Sequence, residues 1–337
     1  LRGYGIWSDR FVLNGESRYV IPTPFFHCFG YKAGWMSSLM AGAMAIPLAV
    51  FDAERVMAII EREGVTHMPG PPTMFNAILD HPRRRSHDLT SLRHVMVGAT
   101  TVAPSLIRRV SDELGIETQL SAYGLTENHA LASLSEPEDP LEVVATTAGR
   151  PFPEVEMRMV DDDGHEVPAG QPGEILLRSP YAMSGYYADP DATAAALAGG
   201  WLHTGDIGRF DDDGRLLVTD RKKDMFIAGG FNVAPAEVEK VLVAIVGVAQ
   251  VAVVGMPDDY LGEVGAAFVV LDDGASVDPA DIVAFAREHL ANFKVPRRVE
   301  LVDQLPMNAT GKVVKADLRA WLARPDGAAT TGAEPVG

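Results

Sequence analysis

Between residues 20 and 121, short apolar runs alternate with segments of helical periodicity, and no other feature restricts the fold as strongly. "YVIPTPFF", "VTHMPG" and "RHVMVGA" read as strands. Between the first two lies "DAERVMAIIERE", which puts Val56, Ile59 and Ile60 on one helical face. "PPTMFNAILD" and "PSLIRRVSDEL" each open on proline, which suits a first helical turn. Strands that alternate with helices in this way build a parallel or mixed sheet covered by helices, with ligands near the carboxyl ends of strands.

The pattern changes near residue 145. "VEMRMVDDDGHEV" and "GRFDDDGRLLVTD" carry strand, Asp-Gly turn and strand, so the middle region reads as a small antiparallel sheet or barrel. Further on, "PAEVEKVLVAI" and "ADIVAFAREHL" are helical, whereas "QVAVVGM" and "GAAFVVL" are strands, giving a compact α+β unit of ordinary domain size. Residues 326–337, rich in Ala, Gly and Thr, read as a disordered tail. Between the larger body and the smaller cap lies "TDRKKDMFIAGGFNVAP", which joins five consecutive charges to a short apolar run and the pair Gly229-Gly230.

A net charge of −17 argues against a nucleic-acid partner, which needs a basic face. Anionic ligands remain compatible, because local amides, cations or a metal outweigh distant charge. One cysteine, Cys28, excludes an internal disulfide framework and fits a reducing, cytoplasmic compartment. The longest apolar run, residues 39–50, is too short to span a bilayer and contains Pro47, so no integral membrane segment is expected.

Two common nucleotide signatures are absent. "NATGKVV" lacks the first glycine and the final hydroxyl of a Walker loop, and no G-x-G-x-x-G follows a strand. "SAYGLTEN" instead presents Tyr123, Gly124, Thr126 and Glu127 after a strand, offering a ring to stack on a base, a hydroxyl for phosphate and a carboxylate for Mg²⁺. The same residues also suit a plain strand-to-loop turn. Asp206 in "WLHTGDIGRF" suits a ribose, or equally a turn bonded to its own backbone. Lys312, behind the loop "NATG", can reach a developing charge, although most loop lysines are merely solvated. "PFFHCFGYKAG" gathers Phe25, Phe26 and His27 beside two glycines, as a pocket wall or as a core cluster.

The order of these weak signals is specific. From about Tyr19 to Trp321 the succession of the aromatic-His block, "VGATT", "YGLTE", Gly173-Glu174, "TGD", "DRKKD…GG" and "NATGK" resembles the adenylate-forming enzymes, in particular acyl-CoA synthetases. The resemblance implies the α/β remainder of a large adenylation domain with a small distorted β-barrel, followed by a mobile α+β carboxyl-terminal domain. It divides the chain into residues 1–144, 145–219, a hinge at 220–223 and a cap domain at 224–325.

It further implies an acid–thiol ligase that uses ATP, Mg²⁺, coenzyme A and a small hydrophobic carboxylic acid. Gly98, Ala99 and Thr100 border the adenine and Tyr123 stacks on it, beside Gly124. Thr126 contacts phosphate and Glu127 the metal. Asp206 and Arg221 hold the ribose, and Lys312 bridges the carboxylate and α-phosphate. Phe25, Phe26, His27 and Val97 line the acyl pocket. Gly229 and Gly230 admit the pantetheine arm, and Lys223 is the pivot, kept wet by its charged neighbours. A homodimer is compatible with this reading.

The phosphate loop of the family is missing, so the chain reads as the carboxyl-terminal part of a longer enzyme whose isolated fragment is expected to lack activity. "PFFHCFGYKAG", "GPPTMF", "ATTAGRPFP" and "HLANFKVPR" are similar to actinobacterial ligases for a steroid-ring propanoate. A medium- or long-chain fatty acid, transfer to a carrier protein, a luciferase-like oxidation and a non-catalytic nucleotide-binding role are the alternatives.

Overall fold

The computed structural model describes residues 1–98, 104–272, 274–308 and 311–324. Ala99 and Thr100 of the expected adenine border lie outside the described residues, as does the tail from 325 onward. The chain divides into two compact units, Leu1–Val218 and Thr219 onward.

The first unit opens with α1 (Arg2–Arg10) and β1 (Arg18–Ile21), followed by a π-helix (Phe29–Met36) that runs into α2 (Ser37–Ala41). Then come β2 (Met44–Pro47), α3 (Ala53–Glu63), β3 (His67–Gly70), α4 (Pro72–Leu79), β4 (His94–Gly98), α5 (Pro104–Leu114) and β5 (Thr118–Tyr123). Two short strands, β6 (Ser133–Leu134) and β7 (Arg150–Pro151), flank α6 (Leu141–Thr146). These seven strands form one sheet in the order β2-β1-β3-β4-β5-β6-β7. Pairing is parallel from β2 to β5 and antiparallel at β6 and β7. The larger sheet therefore extends past residue 144, because two-residue edge strands carry no periodicity from which a boundary could be read.

Alternation along the strands feeds two cores. Val20, Val95 and Val97 pack with Val56, Ile60, Phe75, Ile107 and Val110 on the side of α3, α4 and α5. Tyr19, Met96 and Leu120 face the other way, onto Tyr4, Trp7 and Phe11. Full burial of a side chain such as Phe75 contributes about 1.5–3 kcal/mol. The boundaries of α3 have clear causes. Asp52 accepts the Arg55 amide at 2.8 Å, and Gly64 ends the helix at φ +62°.

A four-stranded sheet ordered β11-β10-β9-β8 follows, built from β8 (Glu156–Val160), β9 (Gly173–Arg178), β10 (Leu202–Phe210) and β11 (Leu216–Arg221), with α7 (Pro190–Ala196) before β10. Its Met159, Ile175, Leu177, Leu202 and Leu216 join the second core.

The second unit holds β12 (Phe226–Ala228), β13 (Phe231–Val233), α8 (Pro235–Leu242), β14 (Val248–Asp258), β15 (Gly262–Leu271), α9 (Pro279–His289), β16 (Arg298–Leu301) and α10 (Lys315–Leu322). The long antiparallel pair β14/β15 carries β16 alongside β15 and packs α8 and α9 through Val238, Leu242 and Ile282. Among the described residues no helix is long and apolar enough to cross a membrane.

Candidate active site

Two sequence motifs far apart in the chain meet in the first unit. β5 ends at Tyr123, whose hydroxyl donates to Asp206 Oδ2 at 2.6 Å. Asp206 is buried because the register of β10 shifts between His203 and Ile207. Within that irregularity Gly205 adopts φ +67°, and the Thr204 hydroxyl accepts the Asp206 amide at 3.1 Å while donating to the Ile175 carbonyl. The Gly205 amide donates to Glu174 Oε1 at 3.2 Å, which gives the Gly173-Glu174 pair a positioning task. "TGD" thus builds a bulge that aims a buried carboxylate at the end of β5.

Gly124 follows, and the backbone explains why no other residue fits. A Cβ here would lie 2.2 Å from the Ala130 carbonyl oxygen. Thr126–Asn128 then form one 3-10 turn, and His129 and Ala130 both take positive φ, of 55° and 63°. Two non-glycine residues held in the left-handed region mark stored strain, of a kind that clusters at functional sites. Asn128, fully buried, anchors the turn by donating to the Leu131 carbonyl at 2.7 Å and accepting from Ser179 at 2.5 Å.

The Glu127 carboxylate accepts a hydrogen bond from the Tyr186 hydroxyl at 2.9 Å, and its backbone carbonyl takes the Met183 amide. Burial first, then the hydrogen bond to Glu127 and its charge, push Tyr186 above the ordinary phenol range, so it stays a donor. Thr126 Oγ1 lies 3.7 Å from Cys28 Sγ, which brings the aromatic-His block to the same turn. Tyr186 and Cys28 were not singled out as site residues from the sequence. Tyr186 sits in a polar stretch without periodicity, and Cys28 is an isolated thiol.

The aromatic-His block departs from a simple pocket wall. The π-helix brings Gly30 where a Cβ would stand 2.4 Å from the Thr23 and Pro24 carbonyl oxygens, and Gly34 where it would stand 2.7 Å from Ile21. These glycines permit close packing of the helix on the preceding loop. Phe25 and Phe26 are exposed, and the His27 ring nitrogen Nδ1 accepts the Phe29 amide at 3.2 Å. Val97 is fully buried in the core with Phe75 and Val95, so it does not share the exposed surface of Phe25 and Phe26. The difference arises because Val97 points from β4 toward α4 and α5. Gly98 ends the same strand, and a Cβ there would meet the Ala122 carbonyl at 3.4 Å.

In the second unit the charged stretch is only partly wet. Arg221, Lys222 and Lys223 are exposed. Asp220, expected among the solvated charges, is buried instead, because its carboxylate is consumed by backbone amides. Asp224 pairs with Arg319 of α10 at 3.0 Å.

Gly229 and Gly230 form the two-residue turn of the β12/β13 hairpin with φ of 59° and 85°. Two adjacent positive φ values suit a turn that matches strand twist, and glycine adopts both without strain. The Lys312 backbone is held on both sides rather than riding on a free hinge. Its amide donates to Asn308 Oδ1 at 2.9 Å, its carbonyl accepts the Asn308 amide at 2.9 Å, and Met307 bridges Val313. Ala309 and Thr310 lie outside the described residues.

Replacing Tyr123 by Phe removes the bond to the Asp206 carboxylate. The expected cost is about 1.5–3 kcal/mol of stability, as for hydrogen bonds to charged groups, measurable by denaturant unfolding.

Residues 2–187 match the AMP-binding enzyme family, and residues 237–312 match the AMP-binding enzyme C-terminal domain. A methyl-dioxo-octahydroindenyl-propanoyl:CoA ligase of Mycobacterium tuberculosis is 51% identical over 93% of this chain and 60% of its own length. The ligase of the same name from Rhodococcus jostii is 48% identical over 93% of this chain and 59% of its own. The chain therefore spans about 60% of the length of these relatives. The amide bond synthetase McbA of Marinactinospora thermotolerans superposes with a TM-score of 0.85 at 38% identity, covering 95% of this chain and 65% of that one. ATP-bound MatB of Rhodopseudomonas palustris gives a TM-score of 0.87 at 30% identity, covering 95% and 63%. With a family model spanning more than half of its length, and with the two strand-end motifs brought together as described, this chain belongs to the AMP-binding, adenylate-forming enzymes.

Proposed function

We propose that the protein carrying this chain is an AMP-forming acid–thiol ligase, which joins a hydrophobic carboxylic acid to coenzyme A through an acyl-adenylate. The observation that carries the reading is the 2.6 Å hydrogen bond from Tyr123 to Asp206, which ties the "YGLTE" turn to the "TGD" bulge. A ring at the end of β5 beside a buried carboxylate offers one face to adenine and one acceptor to a ribose. Gly98 borders the same nucleotide, Thr126 meets its phosphate, and Arg221 adds a cation for the ribose side.

The donor set fits a magnesium ion that arrives with ATP. Mg²⁺ takes one or two protein carboxylates and completes its shell with phosphates and water, and Glu127 supplies a carboxylate oriented by Tyr186. Bound there, the ion would neutralise phosphate charge as the acid attacks. Lys312 supplies the cation for the carboxylate and α-phosphate oxygens. Lys223 is the pivot at which the cap domain, residues 224–325, turns between the two half-reactions. Gly229 and Gly230, exposed at a hairpin tip without a Cβ, then leave room for a narrow thiol arm.

The acid is proposed to be a bicyclic, steroid-derived propanoate. Support comes from the two relatives at 51% and 48% identity, whose names specify such a propanoate. Phe25, Phe26 and His27 would receive its apolar rings. The test is to assay acyl-CoA formation by mass spectrometry with this propanoate, a medium-chain and a long-chain fatty acid, each at equal concentration. A preference of at least tenfold in kcat/KM for the bicyclic acid is expected. Preference for a fatty acid would overturn the substrate assignment, and AMP formation without thioester would overturn the choice of acceptor.

A further inference from the structure

Asp220 is the penultimate residue of β11, just before the exposed Arg221, Lys222 and Lys223, and it is buried at 8% exposure. Its two carboxylate oxygens are used separately. Oδ1 accepts the amide of Arg221 at 2.7 Å, and Oδ2 accepts the amide of Ala236 at 2.8 Å. Ala236 lies in the first turn of α8, whose cap position is Ala234 and so has no side chain able to accept an amide. The helix therefore borrows its capping group from a residue sixteen positions earlier.

The geometry points to Asp220 as a latch across the pivot, tying the backbone just before Lys223 to the start of α8 beyond it. This inference rests on the reading of Lys223 as the pivot. Turning the chain at Lys223 moves Ala236 relative to Asp220 and must break that bond, while the bond to the adjoining Arg221 amide can persist. The Arg221 carbonyl, which accepts the amides of Asp224 at 2.9 Å and Met225 at 3.1 Å, wraps the same pivot. The Asp224–Arg319 pair lies wholly beyond it and is untouched by the turn.

Burial disfavours the charge of Asp220 and pushes its carboxyl above the ordinary range. The two amides and Lys315 oppose that shift, and Glu239 adds to it. Lys315 is itself paired with Glu239 at 2.8 Å, which limits its help. A helix amino terminus favours an anion, which opposes that effect of burial.

Asp220 is thus a positioning residue, acting through Arg221 and α8 rather than on the reacting atoms. The test, run in the full-length protein that carries this chain, compares wild type with Asp220→Ala and with the isosteric Asp220→Asn. Acid-dependent ATP–pyrophosphate exchange reports the first half-reaction, and acyl-CoA formation from supplied acyl-adenylate reports the second. The ratio of the two rates is expected to shift at least tenfold in Asp220→Ala and by less in Asp220→Asn. The Ala236 amide should exchange its hydrogen faster in both variants.

A common loss in both half-reactions, or no change in their ratio while Ala236 loses protection, would overturn the latch and leave the ligase reading standing. Should Asp220→Ala fail to fold, the same ratio in Asp220→Asn decides. A wild-type protein silent in both assays would remove the ligase reading and the latch with it.

Discussion

Replacing Lys312 by Ala is expected to slow acid-dependent ATP–pyrophosphate exchange by about 10²–10³-fold, a loss of roughly 2.7–4 kcal/mol of transition-state stabilisation. The size follows from where charge develops. As a carboxylate attacks the α-phosphate, negative charge gathers on oxygens that only a cation or an amide can stabilise without reorganising. Lys312 has the required rigidity at its base, since Asn308 takes its amide through Oδ1 and donates its own amide to the Lys312 carbonyl. Gly311, at φ +75°, closes that loop. The side chain then extends from a backbone hydrogen-bonded to Asn308. Thioester formation from supplied acyl-adenylate should be nearly unchanged, because the role proposed for Lys312 belongs to the first half-reaction. Equal loss in both halves would instead assign Lys312 a structural task.

Gly124→Ala is expected to lower activity about 100-fold and stability by roughly 1–3 kcal/mol, although it adds a single methyl group. The added carbon would stand 2.2 Å from the Ala130 oxygen and 2.4 Å from its carbonyl carbon, and neither atom belongs to a flexible side chain. Either β5 must retreat or the Thr126–Asn128 turn must move. The first displaces Tyr123 from Asp206, and the second displaces Thr126 and Glu127. A shift of about 1 Å at a catalytic constellation can cost 10²-fold in rate. Kinetics with a thermal melt would separate the two effects. Wild-type activity in this variant would mean that the turn is not part of the reaction centre.

Much of the fold was legible because its signals are periodic. Val56, Ile59 and Ile60 repeat at helical spacing, and all three are buried in α3. Proline marked the starts of α4 and α5. What escaped the sequence was set by contacts distant along the chain. The π-helix at Phe29–Met36 depends on two glycines packing against residues that precede it, and no local propensity announces this. The short strands β6 and β7 exist only because β5 offers an edge.

The site divides in the same way. Tyr123, Gly124, Thr126, Glu127 and Asp206 stood out as motifs, but each fits an ordinary turn when read alone, and only the fold joins Tyr123 to Asp206. Asp220 looked like one more solvated charge, whereas its burial follows from a helix start lacking a capping side chain. Val97 has an apolar identity that suits pocket and core equally, and strand alternation turned it toward the core. Gly229 and Gly230 suit a tight hairpin with two positive φ values before any ligand is considered.

Exchange of labelled pyrophosphate into ATP by the full-length protein that carries this chain, followed with the bicyclic propanoate present and coenzyme A withheld, tests the central claim most directly. Label is expected to enter ATP only when the acid is added, because the acyl-adenylate forms and reverts without any thiol. Absence of exchange with every hydrophobic acid, or release of ADP in place of AMP, would contradict the account.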